Sequence, residues 1–187
     1  DKLYAESIEV EDEFGRSVSV DDSADVAVIG SPYATSKQGQ YRGGAAYVFR
    51  RKSGVWEQEY ELRPPSNDTK AARAKTYFGE AVTVNKAYGR NLTTALVGAP
   101  GAGKVFVYEF NSSESRSSGT VGWVHIATLS HPEARFAQHR FGARGSIAIN
   151  QDMAVVGGAV MTSYLVLHRD FTIARLVGCA CALDHGW

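Results

Sequence analysis

Apolar and polar residues alternate in short runs along nearly the whole chain. These runs are rich in valine, alanine, tyrosine and phenylalanine, and glycine, asparagine, aspartate or serine bound them, as is typical of β-strands. Few segments space their apolar residues at the 3.6-residue period of an amphipathic helix. The hydrophobic pattern therefore predicts an all-β protein with many tight turns, to which 19 glycines contribute.

The predicted strands recur in sets of four, and each set follows a Phe-Gly pair. The pairs begin at Phe14, Phe78 and Phe141, so the repeat is 64 and then 63 residues long. A short alternating strand comes first, then an apolar strand that ends in glycine, then two more strands. The predicted strands occupy 17–20, 26–32, 44–49 and 55–62 in the first set, 81–84, 94–100, 103–110 and 122–129 in the second, and 146–149, 153–159, 163–168 and 171–177 in the third.

Four strands in chain order predict an antiparallel meander, which cannot bury both of its faces alone. Radial stacking of several such sheets buries these faces and gives the blades of a β-propeller. We expect each phenylalanine to fill the space between neighbouring sheets, and each glycine to allow a close backbone approach. The predicted organisation is a leading strand at the end of a preceding blade (1–13), three blades (14–77, 78–140 and a degenerate 141–177), and a tail (178–187) that matches nothing in the repeat.

Three blades and a leading strand are too few to close a ring, because propellers typically have four to eight blades. An open end would expose strand edges and an apolar sheet face. We therefore expect an incomplete ring, with the chain being a segment of a longer protein. Assembly of several chains into one ring is the alternative.

These motifs resemble the FG-GAP repeat, which is known from the head of integrin α subunits and from many secreted or surface proteins. The second set carries both signatures, Phe78-Gly79 and Gly98-Ala99-Pro100, and the first has Gly30-Ser31-Pro32 at the second position. The third set has Gly157-Gly158-Ala159 without proline, so its turn should differ. The signature residues are Phe14, Gly15, Gly30, Pro32, Phe78, Gly79, Gly98, Ala99, Pro100, Phe141, Gly142 and Gly157.

The resemblance implies a non-catalytic adhesion or binding module that presents loops to a protein or glycan ligand, outside the cell or at its surface. The expected contact loops are the long connections 33–43 and 111–121, whose lengths vary between the repeats. The remaining blades of a parent chain are further expected partners. Because family members also accompany hydrolase or phospholipase domains, the alternative is an accessory propeller segment of a larger secreted enzyme.

The amino-acid composition argues against two kinds of partner, nucleic acids and membranes. Twenty lysines and arginines balance 20 aspartates and glutamates, which argues against nucleic-acid binding by phosphate neutralisation. No run of about 18 apolar residues occurs, so no membrane insertion is predicted for this segment. The two cysteines, Cys179 and Cys181, are awkwardly close for a disulfide bond, and we interpret them as free thiols.

The segment GAPGAGK (98–104) is one residue short of a phosphate-binding loop, in which serine or threonine follows the lysine. Val105 stands there instead, and the alternating VFVYEF predicts a strand where phosphate binding needs a helix. We therefore interpret the glycines as turn residues between two strands, and expect no nucleotide cofactor.

The resemblance implies calcium as the metal ion, bound by acidic loops that precede the Gly-Ala-Pro strand. Only the first such loop is acidic here, with Asp21, Asp22 and Asp25 as candidate ligands at an unsuitable spacing. An Asx-type turn between the first two strands explains the same residues. We expect no metal ion or cofactor, with calcium at this loop as the exception to test.

No set of catalytic residues emerges from the sequence, and no serine lies in a G-x-S-x-G motif. Glu57, Glu59 and Glu61 alternate on one face of a predicted strand and could mimic the paired carboxylates of a glycosidase. We interpret them instead as the exposed polar face of an outer strand. The chain is therefore not expected to be an enzyme.

Three N-x-[ST] sequons begin at Asn67, Asn91 and Asn111, all in predicted linkers or loops. A glycan is sterically allowed at such positions. The sequons favour a secreted or surface glycoprotein, in agreement with the location that the resemblance implies.

Overall fold

The computed structural model describes residues 2–35, 42–68, 75–86, 92–111, 122–130, 140–150, 153–158, 163–168 and 173–178. These residues form twelve β-strands and no helix, so the all-β prediction is confirmed. Each of the twelve strands predicted for the three sets is present, with ends that differ by a few residues at most. The strands are β1 Ser17–Val20, β2 Val26–Ser31, β3 Ala45–Lys52, β4 Val55–Leu62, β5 Ala81–Lys86, β6 Thr93–Ala99, β7 Lys104–Asn111, β8 Gly122–Ser130, β9 Ile147–Ile149, β10 Met153–Val156, β11 Ser163–His168 and β12 Ile173–Gly178.

The strands form three antiparallel four-stranded sheets, each in chain order. We call them blade 1 (β1–β4), blade 2 (β5–β8) and blade 3 (β9–β12). The first strand of blade 2 contacts the first strands of both other blades, whereas contact between the outer strands β4 and β8 is sparse. The sheets therefore stand side by side around their first strands, as the blades of a propeller do, and they do not close into a ring.

Phenylalanine side chains fill the two spaces between the blades, as the sequence predicts. Phe78 is fully buried between blades 1 and 2, where it meets Phe106 at a ring-centroid distance of 5.6 Å. Phe141 is equally buried between blades 2 and 3. The apolar core that surrounds Phe78 comprises Val26, Val28, Ala46, Val48, Leu62, Val82, Val84, Ala95, Val97, Ala99, Phe106, Tyr108 and Trp123, and the core around Phe141 comprises Leu96, Val105, Val107, Leu129, Ala154 and Val156.

Each Phe-Gly pair forms the centre of a four-residue turn, which the sequence pattern did not reveal. In all three turns the backbone N–H of the fourth residue donates to the carbonyl of the first at 3.0 Å. The central glycines have φ values of 89°, 92° and 73°, which suit the third position of a type II turn and favour glycine. The turns span 13–16, 77–80 and 140–143.

The two signature glycines of a blade bond to each other, and they also meet across the blade interface. The N–H of Gly79 donates to the carbonyl of Gly98 at 2.9 Å within blade 2, and equivalent bonds exist in the other two blades. A Cβ on Gly98 would overlap the carbonyl oxygen of Gly142, the Phe-Gly glycine of the next blade. Glycine is therefore required because two backbones touch there.

The predicted leading strand is absent, which corrects that part of the sequence interpretation. Residues 2–13 form turns and irregular backbone, and three of their apolar side chains pack on the face of blade 1 that points away from blade 2. Leu3, Ala5 and Ile8 join Phe14 there against the buried rings of Tyr47 and Phe49. Few alternating apolar positions and an acidic run suit a covering linker better than a paired strand.

The two end faces of the array expose apolar side chains at positions that are buried between blades. Val18 of β1 is 58% exposed, whereas Val82, its equivalent in β5, is 8% exposed. Val155 of β10 is 37% exposed, whereas Val28, its equivalent in β2, is fully buried. Among the described residues no further sheet covers either end face, which explains the difference and agrees with the expectation of an open ring.

Candidate functional site

Strand directions place the connections of every blade at one of two ends. The Phe-Gly turns share one end with the β2–β3 and β6–β7 connections, and we call it the Phe-Gly end. The β3–β4 and β7–β8 connections leave from the opposite end. The two predicted contact loops, 33–43 and 111–121, therefore belong to opposite ends, and their central parts, 36–41 and 112–121, lie outside the described residues.

A cavity of about 320 Å³ opens at the Phe-Gly end, beside the three Phe-Gly turns. Its lining combines charged, aromatic and small residues from these three turns and from the β2–β3 and β6–β7 connections. The lining residues are Arg16, Tyr33, Tyr77, Glu80, Pro100, Gly101 and Arg140.

Apart from the signature residue Pro100, the cavity is built from variable positions beside the repeat signatures. Arg16 and Glu80 are the fourth residues of the first and second Phe-Gly turns, while Tyr77 and Arg140 are the first residues of the second and third. Tyr33 and Gly101 follow the Gly-x-Pro signatures, at equivalent positions. The signatures thus fix the backbone, and the residues that flank them determine the surface of the cavity.

The backbone around the cavity is held in a constrained form. Tyr77 and Arg140 both have left-handed φ values, 56° and 48°, which are uncommon for residues other than glycine. The N–H of Gly101 donates to the carbonyl of Thr76 at 3.0 Å, and a Cβ on Gly101 would overlap the carbonyl of Lys75. Tight packing of the β6–β7 turn on the linker therefore fixes the wall of the cavity.

A buried carboxylate joins two arginines across the cavity. Glu80 is 5% exposed, and its Oε1 lies 3.4 Å from an Nη of Arg140 and 3.6 Å from an Nη of Arg16. Arg16 also contacts Glu13 at 3.2 Å. A carboxylate this buried needs the nearby cations, and the two guanidinium groups stay partly exposed, with 36% and 54% of their side chains accessible.

Two tyrosines supply the aromatic part of the lining. The rings of Tyr33 and Tyr77 meet edge to face, with centroids 5.5 Å apart and planes at 71°. Both side chains are half-buried. The cavity therefore offers hydrogen-bond donors on two arginines, an acceptor on Glu80 and aromatic surface, which together can hold a small polar ligand.

Sequence reasoning missed most of this site. It included Tyr33 in a contact loop and Pro100 among the signature residues, and it assigned no role to Arg16, Glu80 or Arg140. Their place in the repeat is the feature of the sequence that points to them, because these residues directly flank the Phe-Gly pairs and differ between the repeats.

Each of the three candidate calcium ligands contacts a different partner within the protein. Asp21 is buried and accepts the N–H groups of Asp25 and Val26 at 2.9 and 3.0 Å, which is the Asx-type arrangement that the sequence also suggested. Asp22 accepts from the Asn85 side chain at 3.2 Å, and Asp25 lies 3.4 Å from Arg51. Within the described part of the chain, no group of three or more His, Cys, Asp or Glu could hold a metal ion.

The segment that resembles a phosphate-binding loop is a turn between two strands. The N–H of Gly103 donates to the carbonyl of Pro100 at 3.1 Å, and β7 begins at Lys104. The ammonium group of Lys104 pairs with Asp68. The strand that follows the turn confirms the interpretation of these glycines as turn residues.

The three alternating glutamates of β4 do not form one exposed face, which corrects the sequence interpretation. Glu57 is exposed beside Lys52, but Glu59 and Glu61 keep only 19% and 11% of their side chains accessible and pair with Arg50 and Arg63. Each carboxylate therefore has its own cation, as expected for structural ion pairs.

The sequons fall in different surroundings. Asn67 lies in an exposed turn, where a glycan is sterically allowed. Asn111 is the last residue of β7, paired with Gly122, rather than a loop residue as predicted. Asn91 and residues 179–187 with both cysteines lie outside the described residues.

Comparison with known proteins supports the repeat family. Residues 1–49 match the family model of the FG-GAP repeat, a segment that includes the first Phe-Gly turn, Gly30-Ser31-Pro32 and β3 up to Phe49. No curated protein matches the chain. Helices long and apolar enough to cross a membrane are absent from the described residues.

Proposed function

We propose that this chain, whose first 49 residues match the FG-GAP repeat, is a non-catalytic binding module that works outside the cell or at its surface. The observation that carries the proposal is the cavity at the Phe-Gly end, where side chains from the three Phe-Gly turns converge. Its charged groups are arginines paired with a buried glutamate, an arrangement suited to binding. Adhesion through a protein or glycan ligand is the role that fits it best.

The binding surface in this proposal is the Phe-Gly end. Loop 33–43 contributes to it, because Tyr33 lines the cavity and Arg42 lies next to the linker at Lys75. Loop 111–121 belongs to the opposite end and has no part in the proposed surface.

The two ends can be compared by loop replacement. Residues 36–41 in one variant, and 112–121 in another, are replaced by Gly-Ser sequences of the same length. Wild type and variants are then applied to arrays of extracellular proteins and glycans. We expect a ligand whose binding is lost on replacement of 36–41, or in Arg140→Ala, and retained on replacement of 112–121.

The opposite pattern, with binding lost only on replacement of 112–121, would contradict the proposed surface. Hydrolysis of glycoside, ester or phospholipid substrates by the purified chain would contradict the non-catalytic role. Thermal melts of all variants serve as the control for folding.

A further inference from the structure

We propose that the cavity at the Phe-Gly end binds a single pyranose ring of a neutral glycan. The inference rests on the proposed function and names the class of ligand for the same site. Four properties of the cavity lead to it: its size, its balance of charge, its hydrogen-bonding groups and its aromatic surface.

The size of the cavity fits one sugar ring. Ligand pockets in proteins range from about 300 to 1,000 Å³, so a cavity of about 320 Å³ is among the smallest. Such a volume is comparable to a compact ring of about a dozen non-hydrogen atoms, and most of an extended peptide of several residues would lie outside it.

The charges favour a neutral ligand. Arg16 and Arg140 supply two positive charges, and Glu80 and Glu13 supply two negative charges within 3.6 Å of them. An anionic ligand would place a further negative charge beside the buried carboxylate of Glu80, where like charges repel strongly. The arginines therefore have no net positive charge to offer an anion.

The hydrogen-bonding groups match sugar hydroxyls. A hydroxyl group both donates and accepts, and neighbouring hydroxyls on a ring have a fixed spacing. Each guanidinium group carries five N–H donors; the described contacts engage one Nη of each arginine with Glu80 and the other Nη of Arg16 with Glu13. The arginines can therefore donate to ring hydroxyls, while the Glu80 carboxylate orients their guanidinium groups.

Tyr33 and Tyr77 supply surface for the apolar side of the sugar. A pyranose carries C–H groups on its faces, and an aromatic ring with its hydroxyl at one end suits such an amphipathic partner. Because the backbones of both tyrosines lie in hydrogen-bonded turns, 31–34 for Tyr33 and 77–80 for Tyr77, little backbone ordering is required when the ligand binds.

The test is a saturation-transfer NMR titration of the full chain with methyl glycosides of glucose, galactose, mannose and N-acetylglucosamine. The methyl glycoside of N-acetylneuraminic acid and an aspartate-rich hexapeptide represent anionic ligands. We expect at least one neutral glycoside to bind with a millimolar Kd, the range expected for a ligand of this size. Neither anionic probe should bind more tightly.

Variants connect the binding to the cavity. Tyr77→Ala and Tyr33→Ala should each raise the Kd by about fivefold or more, and Tyr77→Phe should retain binding because the ring remains. Tyr4→Ala is the matched control, since Tyr4 is exposed and does not line the cavity. A thermal melt of each variant confirms folding, and Tyr33→Ala alone decides the test if Tyr77→Ala does not fold.

The inference is overturned if no neutral glycoside binds, if an anionic probe binds more tightly, or if both tyrosine variants bind as wild type does. The proposed function would survive such a result if a protein ligand were still lost on replacement of residues 36–41. It would fail separately if every ligand bound at the opposite end.

Discussion

At the scale of single residues, the signature glycines act through backbone contacts. The turn conformation requires a positive φ at the glycine of each Phe-Gly pair. A second requirement arises only where a neighbouring blade is present, because a Cβ on Gly79 would overlap the carbonyl oxygen of Ala45 in blade 1. Gly15 has a similar φ and nothing within 4 Å of its would-be Cβ. A comparison of Gly15 with Gly79 therefore separates the effect of the positive φ from the effect of the contact between blades.

Substitution of these two glycines by alanine should measure the inter-blade contact. Gly15→Ala should lower the free energy of unfolding by about 1–2 kcal/mol, the cost of a positive φ. Gly79→Ala carries the same cost and also forces two backbones apart, so we expect a loss larger by at least about 2 kcal/mol. Urea denaturation of both variants gives the difference between their free energies of unfolding. Equal losses of this free energy would mean that the overlap between the blades is relieved at little cost.

At the scale of strands, the outer edges of blades 1 and 2 are joined by a charged and aromatic cluster. Arg50 of β3 donates to Glu59 of β4 at 2.6 Å and stacks over the ring of Phe110 in β7 at 4.5 Å. The indole N–H of Trp123 in β8 donates to the second oxygen of Glu59 at 3.3 Å. The pair of Glu59 and Arg50 thus connects four strands of two blades.

Glu59→Gln should therefore weaken the interface between the blades. It leaves the largely buried guanidinium of Arg50 without its counter-charge, and we expect a loss of about 1–3 kcal/mol in unfolding free energy. Glu57→Gln is the matched control on the same strand, where the pair with Lys52 is 3.8 Å long and exposed, so its effect should be below about 0.5 kcal/mol. Chemical denaturation compares the two, and equal effects would contradict a structural role for the Glu59 cluster.

At the scale of the molecule, burial depends on the position of a blade in the array. Val28 in blade 1 and Val155 in blade 3 occupy equivalent places in the second strand, yet in the part of the chain that the structure describes only Val28 has a neighbouring sheet over it. The exposed valine is therefore a direct probe of whether the end face stays uncovered in solution.

Val28→Asp and Val155→Asp should differ sharply. The first buries an unpaired carboxylate between two blades and should abolish cooperative folding or lower the Tm by more than about 10 °C. The second places the carboxylate in solvent and should change stability by less than about 1 kcal/mol. Circular-dichroism melts give the comparison, with size-exclusion chromatography as the control for self-association. A loss of stability in Val155→Asp as large as in Val28→Asp would show that another surface covers this face in solution.

Much of this organisation could be predicted from the sequence because it depends on local patterns. Strands β1, β4 and β11 have the predicted limits, since alternation and flanking turn residues are properties of neighbours in the chain. The burial of Phe78 and Phe141 followed from the repeat, because stacked sheets need apolar filling. Residues 2–13 were interpreted wrongly as a strand, since their few apolar residues pack on a sheet with which they do not pair.

The sequence by itself determined the all-β class, the limits of the repeats and the identity of the signature residues, because each depends on spacing along one chain. Only the tertiary structure decided that Glu80 is buried between Arg16 and Arg140, although 64 and 60 residues separate them in the chain. It also decided that the two long loops lie at opposite ends. The physical reason is that a binding site arises where stacked blades bring distant turns together. The local sequence of one turn does not contain information about which turns lie next to it in the folded chain.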